Sequence, residues 1–467
     1  MSQETVKLKP APALESTKNL GQIIAVAAAC FGVAFIVRAV AFEPTESGIE
    51  EALPLYISLL LGAWYFALKL LKLSWKPALI AAGLLLAGMA VRVYLLPGVS
   101  EDYEWFLMRW VQQFRDEGLS GFVENRANYN VLYLYYLYLI SKLPVGDLAM
   151  IKLLSVAGDV ALTVTGARLA FRAAPEKRRV AMDLTALAAF WFLPMFWLNS
   201  GWWGQCDSLY GALCMVALLT ALEGRPNLSV AMAALAFAFK LQAIFFLPIY
   251  VVLLMAKKVK VRHALVFPAV TAAVTLPALM AGMPLARALG VYVQQTREYN
   301  TRLNLNSSSA YGLLQRGVTE PERITAAANV GIACAAAFVG VVWLASWLNR
   351  KHLSDNALVF TAFVLCLGIP YMLPYMHDRY FYLSDMLVIL VVLNAPKRFY
   401  LALTAWLGSY AGYHAYIIRK YLMLPRYGMG APSLIMGIGV LLTIIWWAVD
   451  HISARKYASA CTVKRKL

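Results

Sequence analysis

Apolar runs long enough to cross a bilayer recur along the whole chain, separated by short loops rich in Lys and Arg. A helix needs roughly 20 apolar residues to span the hydrocarbon core. In lipid every backbone N–H and C=O must be paired internally, which leaves only helices and closed barrels. These runs are continuous and do not alternate apolar with polar, so they read as helices. They lie at Leu20–Phe42, Leu53–Leu71, Ala78–Leu96, Leu148–Phe171, Val180–Leu198, Ser208–Leu222, Ala264–Ala281, Ile324–Leu348, Ala357–Leu373, Tyr380–Leu393, Tyr400–Ile418 and Pro432–Val449. Of the 467 residues 61% are hydrophobic and 14% charged, against roughly 25% charged in soluble domains. A soluble core able to hide that much apolar surface would need a far larger protein. A soluble enzyme, a disordered scaffold and a secreted disulfide framework are therefore excluded. The expected fold is an all-α polytopic membrane protein with about 12–14 membrane helices, two of them half-length. The six cysteines show no metal-ligand spacing and read as small core residues. The polar start Met1–Asn19 leads into a full apolar segment, expected to remain as a helix and not to act as a cleaved signal.

The net charge of +17 does not indicate nucleic acid, because the basic residues sit in short clusters between apolar runs. These clusters mark the cytoplasmic side: Lys7/Lys9/Lys18, Lys69/Lys72/Lys76, Arg172/Lys177/Arg178/Arg179, Lys257/Lys258/Lys260/Arg262, Arg350/Lys351, Lys397/Arg398 and Arg455/Lys456/Lys464/Arg465/Lys466. Both termini are expected inside, with the acidic loop Glu43–Glu51 outside. Two segments break simple alternation. Tyr129–Leu143 is apolar but short, and must return to the outer face if the basic loop after Phe171 is to stay inside. Its Tyr129, Tyr133 and Tyr136 share one helical stripe, which suits a membrane interface. Leu228–Met255 runs between two cytoplasmic loops, so it must be two half-length helices turning near Phe239–Gln242, with Lys240 at the turn. Non-helical backbone at that depth is tolerated only against protein or a water-filled cavity.

Two long outer loops follow, 97–147 and 282–323. In the first, Tyr103, Phe106, Leu107, Trp110, Val111 and Phe114 recur at helical spacing up to Gly118, an amphipathic helix lying in the interface plane. The chain divides on this reading into three parts. Residues 1–76 form a cytoplasmic tail and a helix pair, 77–395 the membrane core, and 396–467 a second helix pair with a basic tail.

Polar residues at the outer face are the candidates for chemistry. Glu101 and Asp102 open the interfacial helix, where a carboxylate serves either as an N-cap or as a general base. Gln205 and Asp207 lie in a second outer segment, where Asp207 could simply cap the next helix. His377 and Arg379 are the basic groups of a short outer turn, and Arg presents a donor fork suited to phosphate. The loop after Gln294 adds Arg302. Within the membrane Asp159 requires a partner, and Lys152, seven residues earlier on the same face, could help structurally. Lys240 is the other intramembrane cation. The five His are too scattered for a His-based metal site. No metal site is assigned and no cofactor is expected, though carboxylates near Glu101/Asp102 leave a divalent cation open.

The order of these motifs resembles the GT-C superfamily of membrane glycosyltransferases, which use polyprenyl-phosphate-linked sugars. Asp102-Tyr103-Glu104 with Trp110 beyond is similar to the first-loop motif of the glucosyltransferases that extend the dolichol-linked N-glycan precursor. Phe239-Lys240-Leu241-Gln242 with Pro248 is similar to a Phe-Lys-Gln motif of that group. Gln205-Cys206-Asp207-Ser208-Leu209-Tyr210 and His377-Asp378-Arg379-Tyr380 resemble motifs in bacterial relatives of the second mannosyltransferase of GPI-anchor synthesis. The resemblance covers roughly 78–393 and implies a GT-C-like bundle with juxtamembrane helices in the first outer loop. It departs at Ser100-Glu101, where a Gly before the Asp would be usual, and so leaves Glu101 and Asp102 as alternatives for the base.

The resemblance implies an inverting transfer of a hexose, mannose favoured and glucose open, from a polyprenyl-phosphate donor to a saccharide, lipid or protein hydroxyl. The expected place is the extracytoplasmic face of a bacterial cell membrane. Asp102 would act as base, with Glu101, Asp207 and Gln205 as alternatives or support. Arg379 and His377, with Lys240 and Arg302, would hold the donor phosphate. The competing reading is a transporter or flippase of lipid-linked saccharides, which would place polar sites at the midplane of both halves.

Overall fold

The computed structural model describes residues 49–173, 179–298, 301–314, 320–423 and 428–464. The expected first span Leu20–Phe42, the cluster Lys7/Lys9/Lys18, and Lys177, Arg178, Arg465 and Lys466 lie outside the described residues. The described chain is helical apart from two two-residue strands. Among the described residues seven helices are long and apolar enough to cross a membrane: Glu50–Leu71, Trp75–Leu95, Asp147–Ala170, Val261–Met280, Pro321–Leu348, Asp355–Met372 and Gly430–Ser453. The helices Arg179–Phe192 and Pro194–Trp203 together are apolar enough for a further span and meet at a bend of 44°. The chain is thus a multi-pass membrane protein, with fewer full-length spans among the described residues than the apolar runs implied. Several runs form shorter helices instead, among them Asp207–Leu222 and Tyr382–Asn394.

The broken run behaves as its flanking charges required. A helix spans Pro226–Phe239, Lys240 is fully extended (φ −152°, ψ 135°), and a 3-10 turn at Leu241–Phe245 leads to a second helix at Ile249–Met255. Hydrophobicity alone would continue the helix. The extended residue turns a lysine side chain inward, where it finds a carboxylate.

The basic loops gather at one end of the bundle. Arg168 and Arg172 face Glu223, Arg172 and Lys258 both reach Asp355, and Arg398 grips Asp450 with two bonds of 2.6 Å. Helices that start there deliver their far ends, and the loops beyond them, to the opposite end. There the core is drawn tight by small residues. A Cβ on Gly158 would lie 2.5 Å from Ser208 Oγ and 2.6 Å from the Leu209 nitrogen, so the helices Asp147–Ala173 and Asp207–Leu222 touch backbone to backbone.

The intramembrane carboxylate has a different partner from the one its own helix suggested. Arg92 Nε lies 2.7 Å from Asp159 Oδ2, both fully buried, and Ser200 Oγ donates to the same oxygen at 2.5 Å. Lys152 instead donates to the carbonyls of Leu95, Leu96 and Gly98, stapling the end of the helix Trp75–Leu95. The Arg92 guanidinium also lies 3.8 Å over the Trp191 ring, so cation–π contact and the ion pair together offset its burial.

At the end opposite the basic loops, the long loops are structured. Met108–Glu117 buries Trp110, Val111 and Phe114, and ends at Gly118 with φ 64°, as its spacing implied. Val131–Ser141 is the short helix. Its tyrosine stripe faces protein and not the lipid interface: Tyr133 is buried, the Tyr136 hydroxyl donates to the Met150 carbonyl, and Tyr129 approaches Gln205. Bonding partners inside the protein outcompete the headgroup region for these hydroxyls. The second long loop holds a helix at Leu285–Glu298 and a strand, Asn304–Leu305, that pairs in parallel with Met376–His377.

Candidate active site

Ser100 sets the entry. Its hydroxyl accepts from the Tyr103 N–H at 3.3 Å and donates to the Trp203 carbonyl at 2.9 Å. The cap of this helix is thus Ser100, and Asp102 makes no capping bond. A π-helical turn follows at Tyr103–Leu107. A second π turn, Leu198–Trp203, ends at Gly204 with φ 76°. Such turns re-aim side chains, and they recur at functional sites.

The two turns bring their side chains together. Asp102 Oδ2 accepts from Trp203 Nε1 at 2.9 Å and from Gln205 Nε2 at 2.5 Å. Its Oδ1 lies 3.3 Å from the Tyr416 hydroxyl, and that ring stacks on Trp203 at 3.9 Å. Glu101, one residue earlier, is exposed and pairs with Arg419 at 2.5 Å. Of the two alternatives, the structure turns Asp102 inward and Glu101 outward.

Asp207 is fully buried and does not cap its helix. Lys240 Nζ lies 2.6 Å from its Oδ1, Asn199 donates to its Oδ2 at 2.8 Å, and Arg379 Nε is 3.5 Å away. Lys240 also donates to Gln205 at 3.2 Å. Arg379 therefore sits among three carboxylates: Asp102 at 3.8 Å, Asp207 at 3.5 Å and Asp378 at 3.3 Å. Its guanidinium lies 4.9 Å over the Trp203 ring. Burial pushes the Asp378 carboxyl up to about 7, with Arg379 pulling against the shift. Burial, reinforced by Arg379 and Lys240, holds His377 well below its ordinary value, so it is neutral at pH 7.

A cavity of about 50 Å³ lies between these groups, lined by Asp102, Gln205, Lys240, His377 and Arg379 on its polar side. Phe106, Leu107 and Trp110 close it toward the amphipathic helix, and Gln295 toward the second loop. The structure thus brings together Asp102, Gln205, Asp207, Lys240, His377 and Arg379. It does not bring in Arg302, which is exposed and does not line the cavity. Asp159 and Lys152 lie apart from it in separate structural contacts. Sequence reasoning missed Asn199, Trp203, Asp378 and Tyr416 as partners. Among the described residues no group of three or more His, Cys, Asp or Glu is disposed to hold a metal ion.

The family model of glycosyltransferase family 87 matches residues 127–373, more than half of the chain. The chain belongs to glycosyltransferase family 87. No curated protein and no solved structure matches it. The matched stretch of this family 87 transferase contains Gln205, Asp207 and Lys240, while Asp102 and Arg379 flank it on either side. Glycosyltransferase activity follows from the membership. It requires a sugar donor, an acceptor and a group to take the acceptor proton, and the cavity sets one partly exposed carboxylate beside two cations.

Proposed function

We propose that this family 87 enzyme is an inverting hexosyltransferase using a polyprenyl-phosphate sugar, mannose favoured, at the extracytoplasmic face of a bacterial cell membrane. The observation that carries the reading is the place of Asp102, held by Trp203 and Gln205 and 3.8 Å from Arg379. The acceptor hydroxyl gives its proton to Asp102 as its oxygen bonds to the sugar C1. The bond from C1 to the phosphate oxygen breaks, and the electron pair leaves on polyprenyl phosphate. Attack opposite the leaving group inverts C1. A base contributes typically 10²–10⁴-fold to such a step.

Charge developing on the phosphate is met by the Arg379 fork. Lys240 adds positive potential, although Asp207 and Gln205 take two of its three N–H donors. Neutral His377 can donate a hydrogen bond without adding charge. Exposed apolar side chains beside the cavity, Trp105, Phe106 and Met108, suit a donor whose tail stays in lipid. The basic loops at the far end support an extracytoplasmic site by the positive-inside rule. The test is the purified enzyme with a panel of polyprenyl-phosphate hexoses and membrane extract as acceptor. One of them is expected to be consumed with inversion at C1. Transfer from nucleotide sugars alone, or retention of configuration, overturns the reading.

A further inference from the structure

The two oxygens of Asp102 meet residues that line two different cavities. Oδ2 meets Gln205 and Arg379, which line the small cavity with Lys240 and His377. Oδ1 meets the Tyr416 hydroxyl at 3.3 Å, a long bond that another hydroxyl can displace. Tyr416 in turn lines a second cavity of about 300 Å³ with Glu101, Asn306, Arg419, Lys420 and Tyr421. The stacked Trp203 and Tyr416 rings lie beside the carboxylate.

The chemistry of this second cavity differs from the first. Among the described residues Ala415 is its one aliphatic wall, and each other lining residue brings a hydroxyl, amide or charge. A polyprenyl chain finds no surface there, whereas a hydroxyl-rich ligand finds donors and acceptors on each side. Its volume stands at the lower end of ordinary ligand sites, about 300–1,000 Å³. The charges do not cancel. Among the described lining residues Glu101 balances Arg419 at 2.5 Å, which leaves Lys420 in excess. Asn306 joins this cavity to the strand Met376–His377 through its bridge to His377.

We propose that this second cavity is the acceptor subsite, and that the acceptor is a saccharide head group carrying one anionic group, a phosphodiester or a carboxylate. The inference rests on the donor assignment above for the role of the first cavity. The acceptor hydroxyl replaces Tyr416 at Asp102 Oδ1 and passes its proton there. Its oxygen then bonds to the donor C1 as the C1–phosphate bond breaks toward Arg379. Lys420 and Arg419 hold the anionic group away from the reacting hydroxyl.

The experiment measures binding to the full-length enzyme in detergent without donor, so it stands whatever the donor proves to be. The probes are a long-chain alkyl hexoside, the same hexoside bearing a methyl phosphodiester, and its uronate analogue. One or both anionic probes should bind about tenfold tighter than the neutral one, the scale of a charge-assisted hydrogen bond. Which of the two binds identifies the anion. Lys420→Gln and Arg419→Gln should each erase most of that preference, while Glu101→Gln, which releases Arg419, should enlarge it. Equal or absent binding of all three probes overturns the proposal, and so does a preference that survives both Lys420→Gln and Arg419→Gln. Failure of the donor panel with these results intact would sink only the donor assignment.

Discussion

Lys240 Nζ lies 2.6 Å from Asp207 Oδ1, an ion pair buried where the run Pro226–Phe239 breaks and the helix Asp207–Leu222 begins. Removing one member of such a pair strands the other charge, at a cost of about 3–5 kcal/mol. Lys240→Met should therefore destabilise the protein toward the low end of that range, because Arg379 remains 3.5 Å from Asp207. The double variant Lys240→Met/Asp207→Asn should recover much of the loss. Thermal unfolding in detergent reads both, and equal stability of the single and double variants would show that the pair is not coupled.

Asp102→Asn keeps the shape of the side chain and removes the proton acceptor. Because Ser100 and not Asp102 caps the helix, the change disturbs no cap. Turnover should fall by roughly 10²–10⁴, with expression and donor binding retained. A variant that turns over near the wild-type rate removes Asp102 as the base.

Arg379 is mostly buried among three carboxylates, so Arg379→Ala would mix lost donor contact with stranded charge. Arg379→Lys keeps the charge and loses the planar fork. The donor KM should rise about tenfold, the value of a charge-assisted hydrogen bond, with little change in melting temperature. An unchanged donor KM in the folded variant takes Arg379 out of the phosphate site.

Asp378 gives the site a pH dependence. Burial pushes its carboxyl up to about 7. Below that pH it carries its proton, and Arg379 faces only Asp102 and Asp207. Above it a third carboxylate competes with the donor phosphate for Arg379. The donor KM should therefore rise from pH 6 to pH 8, and Asp378→Asn should flatten the rise. His377, held well below its ordinary value, adds nothing in that window. A wild-type donor KM that is level from pH 6 to 8 contradicts the assignment.

The sequence reading succeeded where the constraint was local or came from the bilayer. Paired basic loops on either side of Leu228–Met255 required a return inside one apolar run, and the break falls at Lys240. The amphipathic spacing from Tyr103 to Phe114 and the stop at Gly118 reappear as a packed helix. It failed where a partner comes from far along the chain. Lys152 shares a helix face with Asp159, but the nearer cation in space is Arg92, 67 residues away in sequence and on another helix. Spacing of seven residues shows which face a side chain occupies, not which neighbour that face meets.

By itself the sequence determined that this chain is a helical, multi-pass membrane protein with its basic loops on one side. Those properties follow from apolar run length and loop charge, which act residue by residue against the bilayer. Only the tertiary structure turned Asp102 inward and Glu101 outward, left Arg302 off the cavity wall, and brought in Tyr416, 314 residues from Asp102 in the chain. The reason is geometric. Adjacent residues on a helix point about 100° apart, and which direction reaches Trp203, Gln205 and Arg379 depends on how two π turns and four separate segments pack.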